Sequence, residues 1–315
     1  MVQKVIETEK LTVYYGKHRG IKDVDLAVEQ GEVFGFLGPN GAGKTTTQRV
    51  LLDVIRPTRG RAAIFGLDCQ QDGAQIRKRI GYLPGELSLF PHMRGRAFLD
   101  MMAGLYGFQV DSAYRRTLIE RLALDPNRKI KEYSRGNKQK VGIVLAFMGR
   151  PDLLILDEPT SGLDPLVQQT VLELVREARD DGRTVFFSSH ILSEVQAVCD
   201  RVGIIREGQL VTTERVETLV HQQFKRLHLT LRESPAPGAF DLDGVAELGR
   251  DGQTVMLEIR QNLDKVLEAA LPCGILDVET LPVTLEEIFL AYYGRDGNPN
   301  SRRSGRRYVQ GDNHV

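Results

Sequence analysis

Apolar residues along this chain recur in two rhythms: short unbroken or alternating runs of strand length, and longer stretches with a helical repeat. Leu11–Tyr15 and Asp23–Val28, the latter alternating through Val24, Leu26 and Val28, predict a pair of strands. Tyr15 stands before a turn at Gly16, and by itself reads as a half-buried strand residue. Val33–Leu37 has no polar interruption and predicts a buried strand. A glycine-rich stretch follows, then a helical segment with Val50, Leu51, Val54 and Ile55 on one face, stopped by Pro57. A strand pair is expected around Ala62–Phe65 with a turn at Gly66, and a short buried strand at Ile80–Leu83, halted by Pro84.

From Leu87 to Ala123 the pattern is helical, with Leu118, Ile119 and Leu122 on one face. A second apolar helix carries Val141, Val144, Leu145 and Met148, with Ser134 or Asn137 as its N-cap; its start is either simply capped or an anion site. Leu153–Leu156 is an apolar strand ending in Asp157 and Glu158. Asp164 as N-cap, Pro165 at the first position and Gly182 past the end bound a helix whose face is Val167, Val171, Leu174 and Ala178. Thr184–Ser188 predicts another buried strand, followed by His190, a helix to about Asp200, and a hairpin, Val202–Ile205 with Gln209–Val211, turning at Glu207-Gly208. Apolar strands alternating with helices predict an α/β fold around a parallel sheet.

Beyond His221 the rhythm changes. Leu227, Leu229 and Leu231 alternate, as do Val255, Leu257 and Ile259; a helix on Leu263, Val266, Leu267 and Ala270 and a strand near Ile275–Thr280 follow. Thr284-Leu285-Glu286-Glu287 is a capping box opening a helix with Leu285, Ile288, Phe289 and Tyr292, ended by Gly294. A small α+β module over residues 221–296 is expected, then a tail at 297–315, disordered and basic through Arg302, Arg303, Arg306 and Arg307.

Composition narrows the field. The 315 residues suffice for two domains, and 42 basic against 42 acidic residues give no case for nucleic acid. Three separated cysteines, Cys69, Cys199 and Cys273, have none of the spacings of zinc or redox sites and fit a reducing cytoplasm. Neither a signal peptide nor a run of the eighteen or so apolar residues needed to span a membrane is present.

The chemistry concentrates in Gly38-Pro39-Asn40-Gly41-Ala42-Gly43-Lys44-Thr45-Thr46, a G-x-x-x-x-G-K-[ST] phosphate loop between the predicted strand and helix. Glycines let the backbone wrap a polyphosphate, loop N–H groups and the helix start attract its charge, Lys44 adds a cation, and the Thr45 hydroxyl suits Mg²⁺. Asp157 and Glu158, at the C-terminal edge of a parallel strand, would face the ligand crevice, one for Mg²⁺ and one to activate water. His190, also at a strand end, falls beside the same crevice.

The order of these segments over residues 1–220 resembles the ATPase subunit of ABC transporters. The resemblance implies a phosphate-loop NTPase with a RecA-like core, an N-terminal antiparallel β part and a helical insert at about 87–150. It further implies that Tyr15 stacks on adenine, Lys44 holds the β- and γ-phosphates, Thr45 and Asp157 set Mg²⁺, Glu158 is the general base and His190 contacts the γ-phosphate. Two subunits would close head to tail on two ATP molecules, Ser134 and Gly136 touching the nucleotide of the opposite subunit and Asp164 coupling the sites. The residues after His221 resemble the accessory domain of drug- and antibiotic-exporting members, whose permeases are separate chains. The implied protein is an ATPase peripheral to the cytoplasmic side of a membrane, working as a homodimer with a permease that exports drugs, antibiotics or lipids; its module stabilises or regulates the dimer. The alternative is a soluble ATPase of the same family acting on an assembly or repair complex.

Two positions depart from the family pattern. The usual Leu-Ser-Gly-Gly-Gln reads Tyr133-Ser134-Arg135-Gly136-Asn137, which keeps the serine and one glycine and adds a cation. The position that usually holds Gln is Gly85, which has no side chain to reach a metal; Glu86 is the candidate to substitute, its metal role open.

Overall fold

The computed structural model describes residues 3–107, 110–222 and 225–281. The chain divides into two compact units, Met1–Leu219 and Val220–Val315. The first opens with β1 (Lys4–Tyr15) and β2 (His18–Glu29), a long antiparallel hairpin. After β3 (Val33–Leu37) and α1 (Lys44–Leu51), β4 (Arg59–Ile64) pairs with β1, and β5 (Leu67–Asp68) with β4. The turn between β4 and β5 has positive φ at both Phe65 and Gly66. Next come α2 (Gly73–Arg77), β6 (Ile80–Leu83), α3 (Gly95–Tyr106), α4 (Ser112–Arg121) and α5 (Arg135–Phe147). The unit continues through β7 (Leu153–Asp157), α6 (Pro165–Asp180), β8 (Thr184–Ser189), α7 (Leu192–Val198), β9 (Arg201–Arg206) and β10 (Gln209–Arg215), and α8 (Val216–Gln222) runs across its boundary.

Two sheets result. One is antiparallel, in the order β2-β1-β4-β5; the other runs β10-β9-β3-β8-β7-β6 and is parallel from β9 to β6. Every residue of β3 and β7 is buried, as an interior strand covered on both faces requires. Phe34 stacks on Phe186 at 5.9 Å across the β3–β8 pair, and one apolar cluster joins these strands to the antiparallel sheet. The C-terminal ends of β3, β6, β7 and β8 lie side by side, where ligands of open parallel sheets bind.

Several expectations need correction. The first strands extend well beyond the alternating stretches, because register shifts in β1 break the alternation. Helix α1 stops at Leu51, the chain turns through a left-handed Asp53, and Val54 is left 63% exposed rather than on the buried face. The segment from Leu87 to Arg94 is not helical; it contains Pro91, and α3 starts only at Gly95. Of the two candidate caps for α5, Ser134 is the one used, its Oγ accepting from the Asn137 N–H at 3.2 Å. The Asp164 cap and Pro165 start of α6 are as expected.

In the second unit β11 (Lys225–Leu231), β12 (Val245–Asp251), β13 (Thr254–Ile259) and β14 (Ile275–Leu281) form an antiparallel sheet in the order β12-β13-β11-β14. The core is the alternating face Leu227, Leu229, Leu231, Val255, Leu257 and Ile259 under Val266 and Ala270 of α9 (Leu263–Ala270). Strand β12 escapes the sequence pattern because it is an almost fully exposed edge strand. The expected helix opening at Thr284 and the basic tail lie outside the described residues.

Candidate functional site

The loop Gly38–Thr46 leaves the end of β3 and enters α1, as its motif demands. Gly43 sits at φ 109°, and a Cβ there would lie 2.6 Å from Ile21 Cγ2, so only glycine fits. Lys44 is buried, 5% exposed; its ammonium donates to the carbonyls of Gly38 (2.6 Å) and Pro39 (3.3 Å) and lies 3.5 Å from Glu158 Oε1. A lysine so held is desolvated and already aimed along the loop that would cradle a phosphate chain.

Thr45 and Asp157, far apart in sequence, meet at the floor: Thr45 Oγ1 donates to Asp157 Oδ2 at 3.0 Å. The other carboxylate oxygen accepts from Ser188 Oγ at 2.6 Å. Glu158 follows in a left-handed conformation, φ 49°, that turns it out of β7. Its Oε1 lies 3.0 Å from His190 Nδ1, which must be the donor to an ionised carboxylate. One cleft of about 440 Å³ is lined by Tyr15, the phosphate loop, Gly85, Glu86, Asp157 and Glu158. The ends of β1, β3, β6 and β7 thus bring Tyr15, the phosphate loop, Gly85-Glu86 and the two carboxylates to one cleft, while His190, after β8, reaches Glu158 without lining it.

Tyr15 ends β1 with 46% of its surface exposed, half-buried as expected, and its ring lies against Gly20 and lines the cleft. Gly85 packs on Asp157; a Cβ at that position would lie 3.2 Å from Asp157 Oδ2. Burial, reinforced by the charge of Asp157, pushes the Tyr82 phenol up to about 12. Ser134, Gly136 and Asp164 do not line this cleft. Ser134 and Asp164 cap the starts of α5 and α6, and Gly136 lies against Gly162, whose carbonyl a Cβ would approach to 2.8 Å.

Ser188, Arg19 and Gln139 also serve the site, though none carries a sequence motif. Ser188, one residue before the end of β8, pairs with Asp157 of β7, a signal visible only once the strand order is known. Arg19 lines the cleft next to Tyr15. Gln139 is the lone amide on the buried side of α5, donating to the carbonyls of Glu158 and Pro159.

A phosphate loop after the first parallel strand, carboxylates at the end of another and a shared cleft define a phosphate-loop NTPase. Residues 21–161 match the ABC transporter family, and the chain belongs to it. A daunorubicin/doxorubicin resistance ATP-binding protein of Streptomyces peucetius is 33% identical over 317 residues, covering 95% of each chain. An uncharacterised ABC transporter ATP-binding protein of Nostoc is 39% identical over 211 residues, 64% of this chain, so the match spans 62% of the Nostoc protein. Among solved structures, an ATP-binding subunit of an ABC transporter superposes with a TM-score of 0.64 at 30% identity, over 68% of this chain and 91% of that one.

The donor set fits Mg²⁺: a hydroxyl and a carboxylate, both hard oxygens, sit at the mouth of the phosphate loop. Among the described residues no group of three or more His, Cys, Asp or Glu could hold a metal without further ligands, so phosphate oxygens and water would complete the shell. No helix among the described residues is long and apolar enough to cross a membrane.

Proposed function

We propose that this chain binds and hydrolyses ATP and powers a separate membrane permease that exports drugs, antibiotics or lipids. The observation that carries the catalytic part is the convergence of Lys44, Thr45, Asp157 and Glu158 on one cleft, with His190 Nδ1 held 3.0 Å from Glu158 Oε1. Tyr15 stacks on adenine, and Gly38 to Thr46 wrap the phosphates. Thr45 and Asp157 hold Mg²⁺, whose charge neutralises phosphate oxygens when bound. Glu158 orients and deprotonates the attacking water, and His190 contacts the γ-phosphate. Glu86, on the cleft wall beside Gly85, takes the metal- or water-facing place that glycine leaves empty.

Ser134, Gly136 and Asp164 act in trans, in a homodimer closed by ATP. Their absence from the chain's own cleft, at two capped helix starts, supports that assignment. The exporter reading rests on the full-length likeness to a drug-resistance protein. The unit after Val220 steadies or regulates the dimer, and the chain sits on the cytoplasmic side of the membrane through its permease. No observation favours a soluble assembly or repair ATPase. Purification of the tagged chain from membranes of cells expressing an untagged permease partner tests the reading. A permease retained in stoichiometric amount is expected, and an ATPase recovered only from the soluble fraction contradicts it.

A further inference from the structure

The start of α5 grips the turn that follows β7. Gln139 is 7% exposed, and its amide donates to the carbonyl oxygens of Glu158 (3.3 Å) and Pro159 (3.1 Å). One helical turn earlier, Arg135 Nη2 donates to Ser161 Oγ at 3.3 Å, while its aliphatic stem lies along Gly162. Gly136 permits this approach, since a Cβ would come within 2.8 Å of the Gly162 carbonyl. The Glu158 carbonyl also accepts from the Ser161 N–H at 3.1 Å, and the Glu158 N–H donates to the Ser188 carbonyl at 3.1 Å. Glu158 itself holds φ 49°, which a residue with a side chain keeps only where its surroundings enforce it.

We propose that Gln139 is a positioning residue for Glu158, fixing the peptide that aims the carboxylate into the cleft. Arg135 is a second tether on the same turn. Because α5 begins at Ser134, a push on its N-terminus by a second subunit reaches this chain's own Glu158 through the Gln139 amide. This rests on the reading of Glu158 as the base. A glutamine that merely satisfies its own buried amide would support stability and nucleotide binding alike; a positioning residue acts on the chemical step alone.

The full chain is assayed for Mg²⁺-dependent ATP hydrolysis and for binding of a fluorescent ATP analogue. Gln139→Ala is expected to lower kcat roughly 10-fold, with KM and analogue affinity within about twofold of wild type. In a Glu158→Gln background, adding Gln139→Ala changes the residual rate no further. Gln139→Glu sets a carboxylate against two carbonyl oxygens, so its rate relative to wild type is low near about pH 8 and recovers toward about pH 6 as the carboxyl regains a proton to donate. Wild-type kcat in Gln139→Ala, or a raised KM with unchanged kcat, overturns the proposal and leaves Glu158 as base. If Gln139→Ala does not fold, a pH-independent ratio for Gln139→Glu overturns it instead. Undiminished hydrolysis in Glu158→Gln alone overturns both readings.

Discussion

Ser188 Oγ donates to Asp157 Oδ1 at 2.6 Å, and both side chains are buried at the ends of neighbouring parallel strands. The bond fixes the carboxylate plane and leaves Oδ2 turned to Thr45. Ser188→Ala removes a hydrogen bond to a buried charged group, a loss of about 1.5–3 kcal/mol in stability. Denaturant unfolding checks this, and a Mg²⁺ titration of ATPase activity is expected to shift to higher concentration. Unchanged values in both would separate Ser188 from the metal site.

Tyr15 offers a direct probe of the proposed adenine contact, since the chain contains no tryptophan. Tyr15→Trp introduces a single indole at the cleft mouth and is expected to keep ATP affinity while its emission changes on titration. Tyr15→Ala is expected to weaken binding by about 1–3 kcal/mol, the range for base–aromatic stacking. Equal affinity in all three proteins would remove Tyr15 from the site.

Glu86→Ala is expected to reduce ATP turnover while leaving nucleotide affinity near wild type, if Glu86 fills the role vacated at Gly85. Steady-state kinetics at saturating Mg²⁺ reads this directly, and wild-type turnover rules the role out.

The cysteines differ in a way alkylation can read. Burial pushes the Cys69 thiol up to about 12 and the buried Cys199 thiol well up, whereas Cys273 is partly exposed. The sign is that raised values keep Cys69 and Cys199 as thiols through neutral and mildly alkaline pH. Iodoacetamide treatment of the native protein, read by peptide mass spectrometry, is expected to label Cys273 first. Prior labelling of Cys199 would show that the packing of α7 is looser than its burial indicates.

The phosphate loop and the carboxylates were legible because their chemistry is local: Gly38 to Thr46 and Asp157-Glu158 each carry their own strand and turn. Asp164 and Pro165 marked a helix start for the same reason. What the sequence hid was set by tertiary neighbours. Ser188 matters only because β8 lies beside β7, and Gln139 only because α5 crosses the turn after β7. Leu87–Arg94 keeps an apolar content that resembles a helix, but Pro91 and the lack of a cap leave it irregular. Strand β12 gave no signal, since an exposed edge needs no apolar face.

The most direct test of the account is the mass of Glu158→Gln in solution. Without the carboxylate proposed as its base, the chain is expected to bind ATP, stall before hydrolysis and hold two subunits together through Ser134 and Gly136 of each. Light scattering with Mg²⁺ and ATP is predicted to give twice the 35.3 kDa chain mass, reverting to the monomer when Ser134→Arg is added. A monomer throughout, at ATP concentrations that saturate the cleft, would contradict the shared-site mechanism.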